Sequence, residues 1–253
     1  MLKKLYEKSN IWFAVAWIIA YCVLLSVGDA LSDMIGMQKA ITLPIAMLLL
    51  SVLSIFLKKN RLCQEYGLCR PKASARTMLY YLPVLVMLTA NLWFGVTLNY
   101  GGVETAFYIL SMLCVGFLEE IIFRGLLFGA MKQENLTAAV IVSSVTFGIG
   151  HIINLINGSG AELLPNLLQV TYATAAGFMF VMMYYRSKSL VVCILAHGVF
   201  NAISVFANNH LTSEQHILSS ILLTVLTGGY AIYLAFAGKT KGREKRNYKN
   251  FLF

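Results

Sequence analysis

The chain has 253 residues, of which 58% are hydrophobic and only 12% charged, and it carries a formal net charge of +9. Soluble domains hold about a quarter charged residues, so the composition excludes an ordinary water-soluble fold and makes lipid the expected solvent. Four prolines and the lack of any Ser/Gly-rich run leave no linker, so 1–253 reads as a single membrane domain.

Eight apolar stretches approach or exceed the about 20 helical residues that cross a hydrocarbon core. They lie near 11–28, 40–57, 77–98, 105–131, 137–156, 166–185, 189–207 and 215–237. They predict an all-α polytopic membrane protein with about eight transmembrane helices around a buried polar cavity. Lys3, Lys4 and Lys8 precede the first stretch as they would in a signal peptide. No small-residue cleavage site follows, so an uncleaved first span is expected. With the N-terminus inside, the inner segments hold Lys58, Lys59, Arg61, Arg70, Lys72 and Arg76, then Lys132, then Arg186 and Lys188. The tail adds Lys239, Lys241, Arg243, Lys245, Arg246 and Lys249. With the three N-terminal lysines these are 18 of the 20 basic residues, the bias expected of cytoplasmic loops and termini. Lys39 alone falls outside, and Arg124 lies within a span.

This spread explains the positive charge as an orientation signal. No aromatic-interleaved basic patch exists, so nucleic acid is not an expected partner. The 239–249 tail is expected to touch anionic lipid headgroups. Cys63 and Cys69 lack C-x-x-C spacing and have no histidine nearby, so neither a disulfide nor a zinc knuckle is expected there.

The informative residues are the polar ones inside spans. Glu119, Glu120 and Arg124 sit in the fourth stretch within Cys114-Val115-Gly116-Phe117-Leu118-Glu119-Glu120-Ile121-Ile122-Phe123-Arg124. Each charge there costs about 2.5–3.5 kcal/mol on insertion scales. Glu120 and Arg124 are i and i+4 and can neutralise each other. On an α-helix Glu119 stands about 140° away from Arg124, at roughly 100° per residue. One carboxylate is thereby tied up structurally and its neighbour left free for proton transfer. His151 in the fifth stretch and His197 in the seventh are also buried by this map, and Asn201 follows His197 at i+4, on the same face. At 1.5 Å per residue Glu119 lies roughly 18 Å, His151 roughly 21 Å and His197 roughly 12 Å from the inner membrane edge. Three helices thus bring a carboxylate, two imidazoles and an amide to similar depth. His210 and His216 fall in or beside an outer loop and read as solvated. Gly125 with Gly129, Gly148 with Gly150, and Gly198 read as helix-packing residues.

These elements, E-E-x-x-x-R at Glu119–Arg124, F-x-x-x-H at Phe147–His151 and H-x-x-x-N at His197–Asn201, resemble the CPBP family, the CAAX-protease and bacteriocin-processing family of intramembrane peptidases. All three match in order over about 105–208, the expected catalytic core. The resemblance implies an eight-helix fold around a water-filled cavity opening toward the cytoplasmic side, in a bacterial plasma membrane. It also implies an endopeptidase acting on a membrane-associated peptide or protein, of the CAAX type or the bacteriocin- or pheromone-precursor type. By position, Glu119 and His151 would activate the attacking water, His197 and Asn201 would stabilise the oxyanion, and Glu120 with Arg124 would hold the site together. A zinc ion, if present, would take Glu119, His151 and His197 as ligands. No H-E-x-x-H helix occurs, however, and a metal-free glutamate mechanism needs only a base and preorganised donors. The other readings are a non-enzymatic bacteriocin-immunity or binding protein and, below it, a proton-coupled transporter. The latter predicts inverted repeats, and no convincing repeat is visible.

Overall fold

The computed structural model describes residues 2–157 and 162–237, which are helical throughout apart from connections and one isolated antiparallel bridge between Val96 and Ala207. The basic tail at 239–249 lies outside the described residues. A short amphipathic start, α1 (Leu2–Lys8), leads into α2 (Asn10–Met34), which Ser9 caps by accepting the Trp12 N–H at 3.2 Å. There follow α3 (Thr42–Lys59), α4 (Leu82–Leu88) and α5 (Gly102–Glu119). The helix continues from α5 as a π-helical segment over Glu120–Leu127 and closes as α6 (Phe128–Met131). Then come α7 (Leu136–Gly150), α8 (Leu163–Ser187), α9 (Val191–Ile203) and α10 (Ser213–Phe236). Asn135 caps α7, and Thr212 with Gln215 forms a capping box on α10, each supplying an acceptor to an otherwise orphaned backbone N–H.

Among the described residues six helical stretches are long and apolar enough to cross a membrane: Asn10–Met34, Thr42–Lys59, Gly102–Met131, Leu136–Leu155, Leu163–Ser187 and Ser213–Phe236. Two shorter apolar helices, Leu79–Leu92 and Val191–Phe206, accompany them, so the exact count of eight is not confirmed. The stretch at 77–98 is broken because Leu79, Tyr80 and Tyr81 all have positive φ, between 48° and 59°. Its α-helical part is the seven residues of α4, about 10 Å long. The other short stretch, Val191–Phe206, gives about 24 Å.

The connections define two poles. At one, Lys72 N–H donates to Ser187 O, Leu190 N–H to Gly67 O and Ser189 Oγ–H to Cys69 O. At the other, Thr97 N–H donates to Phe206 O, Asn208 Nδ2–H to Phe94 O and Gln38 N–H to Glu104 Oε1. Between the poles the outward faces are apolar. Trp12, Leu48, Leu195, Val225 and Ile232 are each at least 60% exposed, a surface suited to lipid.

At the centre lie α5 with its π-helical continuation, flanked by α2, α3, α7, α8 and α9. Gly116 and Gly198 set the α5–α9 crossing. A Cβ on Gly116 would stand 2.5 Å from both Cα and N of Gly198, so only glycine allows this backbone approach. Gly148 similarly faces Thr174 of α8. The other glycines singled out in the sequence are less demanding: Gly125 is in ordinary contact with Leu190 and Tyr66, and Gly150 faces open space.

Candidate active site

The carboxylates stand where α5 gives way to the π-helical segment, all eight residues of which are buried. In a π-helix the ladder runs i→i+5, a geometry frequent at functional sites. Five-apart positions are drawn toward one side, so the 140° separation of Glu119 from Arg124 expected on an α-helix does not apply here. What distinguishes the two carboxylates is their partners.

Glu120 and Arg124 are both fully buried, and Glu120 Oε1 lies 3.0 Å from Arg124 Nη1. The same oxygen accepts a 2.8 Å hydrogen bond from His197 Nδ1. The Arg124 guanidinium is covered by rings, 4.1 Å from the Phe147 centroid and 5.4 Å from that of Phe180. This is a cation–π arrangement that supports a desolvated charge. Arg124 Nε and Nη2 and Glu120 Oε2 have no hydrogen-bond partner among the described residues.

Glu119 is 8% exposed and lines a cavity of about 300 Å³. It is not free, as the α-helical argument would leave it. Its Oε1 accepts a 2.8 Å hydrogen bond from Tyr21 Oη–H, and its Oε2 lies 3.3 Å from His197 Nε2. His197 therefore bridges the two glutamates, one ring nitrogen to each. It stacks on Phe180 at 5.3 Å and 18°.

His151 ends α7. Its Nδ1 lies 3.0 Å from Phe147 O, and because a carbonyl only accepts, Nδ1 carries the proton and Nε2 is the acceptor. The backbone is fixed by Asn166, whose Nδ2–H donates to His151 O at 2.8 Å. His151 and Asn201 line the large cavity together with Glu119. They also border a smaller one of about 50 Å³, where His197 joins them. Phe147 packs edge-on against both imidazoles, with centroids at 5.1 and 5.5 Å.

All six residues singled out in the sequence thus meet in one region. Tyr21 and Phe180 were not singled out. Tyr21 carried a signal, since a tyrosine buried in an apolar span needs a partner for its hydroxyl. Phe180 lies in an apolar run and carried none. As for zinc, no three His, Cys, Asp or Glu side chains converge as a ligand set among the described residues. Both His197 nitrogens face carboxylates. The side chains present do not form a closed metal shell.

Residues 101–203 match the family described as Type II CAAX prenyl endopeptidase Rce1-like. The chain is also 40% identical over 122 residues to the Bacillus subtilis (strain 168) protein named "Putative membrane peptidase YdiL". That match covers 48% of this chain and 45% of the relative, so less than half of the relative is spanned. No solved structure matches. These similarities and the six apolar helices make the chain an integral membrane protein. Every polar side chain of the glutamate–histidine cluster except that of Tyr21 falls within 101–203, and it is through this stretch that the chain is similar to the Rce1-like CAAX endopeptidases.

Proposed function

We propose that the chain is an intramembrane endopeptidase that hydrolyses a peptide bond of a membrane-associated peptide or protein, with the whole chain working as one membrane unit in a bacterial plasma membrane and both termini cytoplasmic. The observation that carries this reading is the shared cavity wall of Glu119, His151 and Asn201, with His197 held against Glu119.

In the proposed reaction a water in the cavity gives its proton to Glu119, oriented by the acceptor Nε2 of His151. The resulting hydroxide attacks the carbonyl carbon, and the oxyanion receives hydrogen bonds from Asn201 Nδ2–H and His197 Nε2–H. His197 Nδ1 is held at 2.8 Å by Glu120 Oε1, which leaves Nε2 turned toward Glu119 at 3.3 Å, a placement that supports the donor role. Collapse of the intermediate breaks the C–N bond, and Glu119 returns its proton to the leaving amine. The products are a carboxylic acid and an amine, with one water consumed. Glu120 and Arg124 hold His197, and Tyr21 orients Glu119. No step uses a metal.

The test compares membrane peptidomes of cells carrying the wild type, Glu119→Gln, His151→Ala and His197→Ala. Loss of the same products in all three variants, with normal membrane insertion, is expected. Wild-type cleavage by both histidine variants would overturn the site. An unchanged cellular phenotype in Glu119→Gln would favour a non-enzymatic binding or immunity protein.

A further inference from the structure

Among the described residues the cavity extends from Glu119 toward one pole. Beyond Glu119 its wall runs through Ser26 and Asp29 of α2, Lys39 before α3, Tyr108 of α5, and Asn154 and Gln169 at the facing ends of α7 and α8. These are the ends joined by the 34–42, 92–102, 150–163 and 206–213 connections. In the opposite direction the π-helical segment closes the route. Ile121, Ile122, Phe123, Arg124, Leu126 and Leu127 are all at most 4% exposed.

Charge divides along the same axis. The closed pole carries Lys3, Lys4, Lys8, the six basic residues of 58–76, Lys132, Arg186 and Lys188, beside the three acidic residues Glu7, Glu65 and Glu134. The open pole has Lys39, which is paired with Asp29 at 2.7 Å, together with Asp33, Glu104, Glu162 and Glu214. Lys and Arg mark the cytoplasmic side of short connections. The cavity therefore faces away from the cytoplasm, contrary to the cytoplasmic opening that the family resemblance implies.

We infer that the site takes its peptide from the outer face of the membrane. The substrate class is then an exported peptide or the outward-exposed segment of a membrane-anchored protein, and not a cytosolic C-terminal tail. This inference rests on the peptidase reading for the word substrate, while the direction of access stands on the cavity and the charges alone.

Cysteine accessibility tests it in intact cells. One version of the full chain has its five cysteines replaced by serine and carries Ser26→Cys on the cavity wall. A second, on the same background, carries Gln64→Cys, exposed at the closed pole. A charged, membrane-impermeant thiol reagent is added from outside. Ser26→Cys should react on the order of tenfold or more faster than Gln64→Cys, in keeping with control of thiol reactivity by access, and Gln64→Cys should catch up once the membrane is permeabilised. Faster reaction of Gln64→Cys in intact cells would overturn the orientation. Failure of Ser26→Cys to react before or after permeabilisation, with Cys22 of the same wall equally silent when it alone is restored, would overturn the water-open cavity. Labelling requires no turnover, so an unchanged cellular phenotype in Glu119→Gln would count against the peptidase reading without touching this result.

Discussion

Replacing Arg124 by Met separates the scaffold of the site from its chemistry. The guanidinium and the Glu120 carboxylate are both wholly shielded from solvent, and the 3.0 Å contact between them is the only ion pair with a permanent cation that Glu120 makes among the described residues. Met fills a similar volume between Phe147 and Phe180 but leaves Glu120 with His197 Nδ1 alone. Removing one partner of a buried pair costs about 3–5 kcal/mol, because the remaining charge stays buried without compensation. For a chain of this size each kcal/mol moves the midpoint by roughly 2–4 °C, so thermal unfolding in detergent at a fixed scan rate should fall by about 6–20 °C. The double variant Arg124→Met with Glu120→Gln removes both charges and keeps a carbonyl oxygen for His197. It should recover most of the loss, since neutral replacements of buried pairs are often tolerated. Glu119→Gln should leave the midpoint within about 2 °C of the wild type while losing activity. A midpoint for Arg124→Met within that same margin would refute the assignment of a supporting role to the pair.

Other perturbations address single contacts. Tyr21→Phe deletes the 2.8 Å donor to Glu119; hydrogen bonds to charged groups contribute about 1.5–3 kcal/mol, so kcat should fall on the order of tenfold or more with KM unchanged, and the thermal midpoint should fall by no more than about 12 °C. Equal loss through KM would show that Tyr21 contacts substrate instead. Asn201→Ala should lower kcat by about 10²–10³-fold, the usual effect of losing one oxyanion donor, as measured by single-turnover cleavage. Gly116→Ala pushes a methyl into the backbone of Gly198 and should destabilise by about 1–3 kcal/mol. Gly228→Ala, which meets nothing within 4 Å, should be neutral or stabilising by up to about 1 kcal/mol in the same melt.

Much of this arrangement is readable in the sequence. Charges inside hydrophobic stretches are costly enough to need partners, which is why Glu119, Glu120, Arg124, His151, His197 and Asn201 stand out. Spacing alone pairs Glu120 with Arg124, as observed. The hidden features depend on local winding or on distant chain segments. Hydropathy does not distinguish a π-helix from an α-helix, so the angular argument for Glu119 used the wrong geometry. Positive φ at Leu79, Tyr80 and Tyr81 is equally invisible, because none of these residues usually marks a turn. The bridge made by His197 joins residues 77 positions apart and the Tyr21–Glu119 bond residues 98 apart. Periodicity within one helix cannot report either. The end of the helix bundle toward which the cavity runs comes from tertiary placement, which hydropathy does not report.

The π-helical stretch makes length a constraint of its own. Dropping one residue between Glu120 and Arg124 would change their spacing from i,i+4 to i,i+3, turning the guanidinium by roughly 100° relative to the carboxylate. Arg124 would then swing out of the aromatic clamp even though every side chain of the buried cluster was still encoded. Such a shortened chain would keep its hydropathy profile and insert normally, so counting the positions across this stretch reports on the buried cluster where inspecting residue types would not.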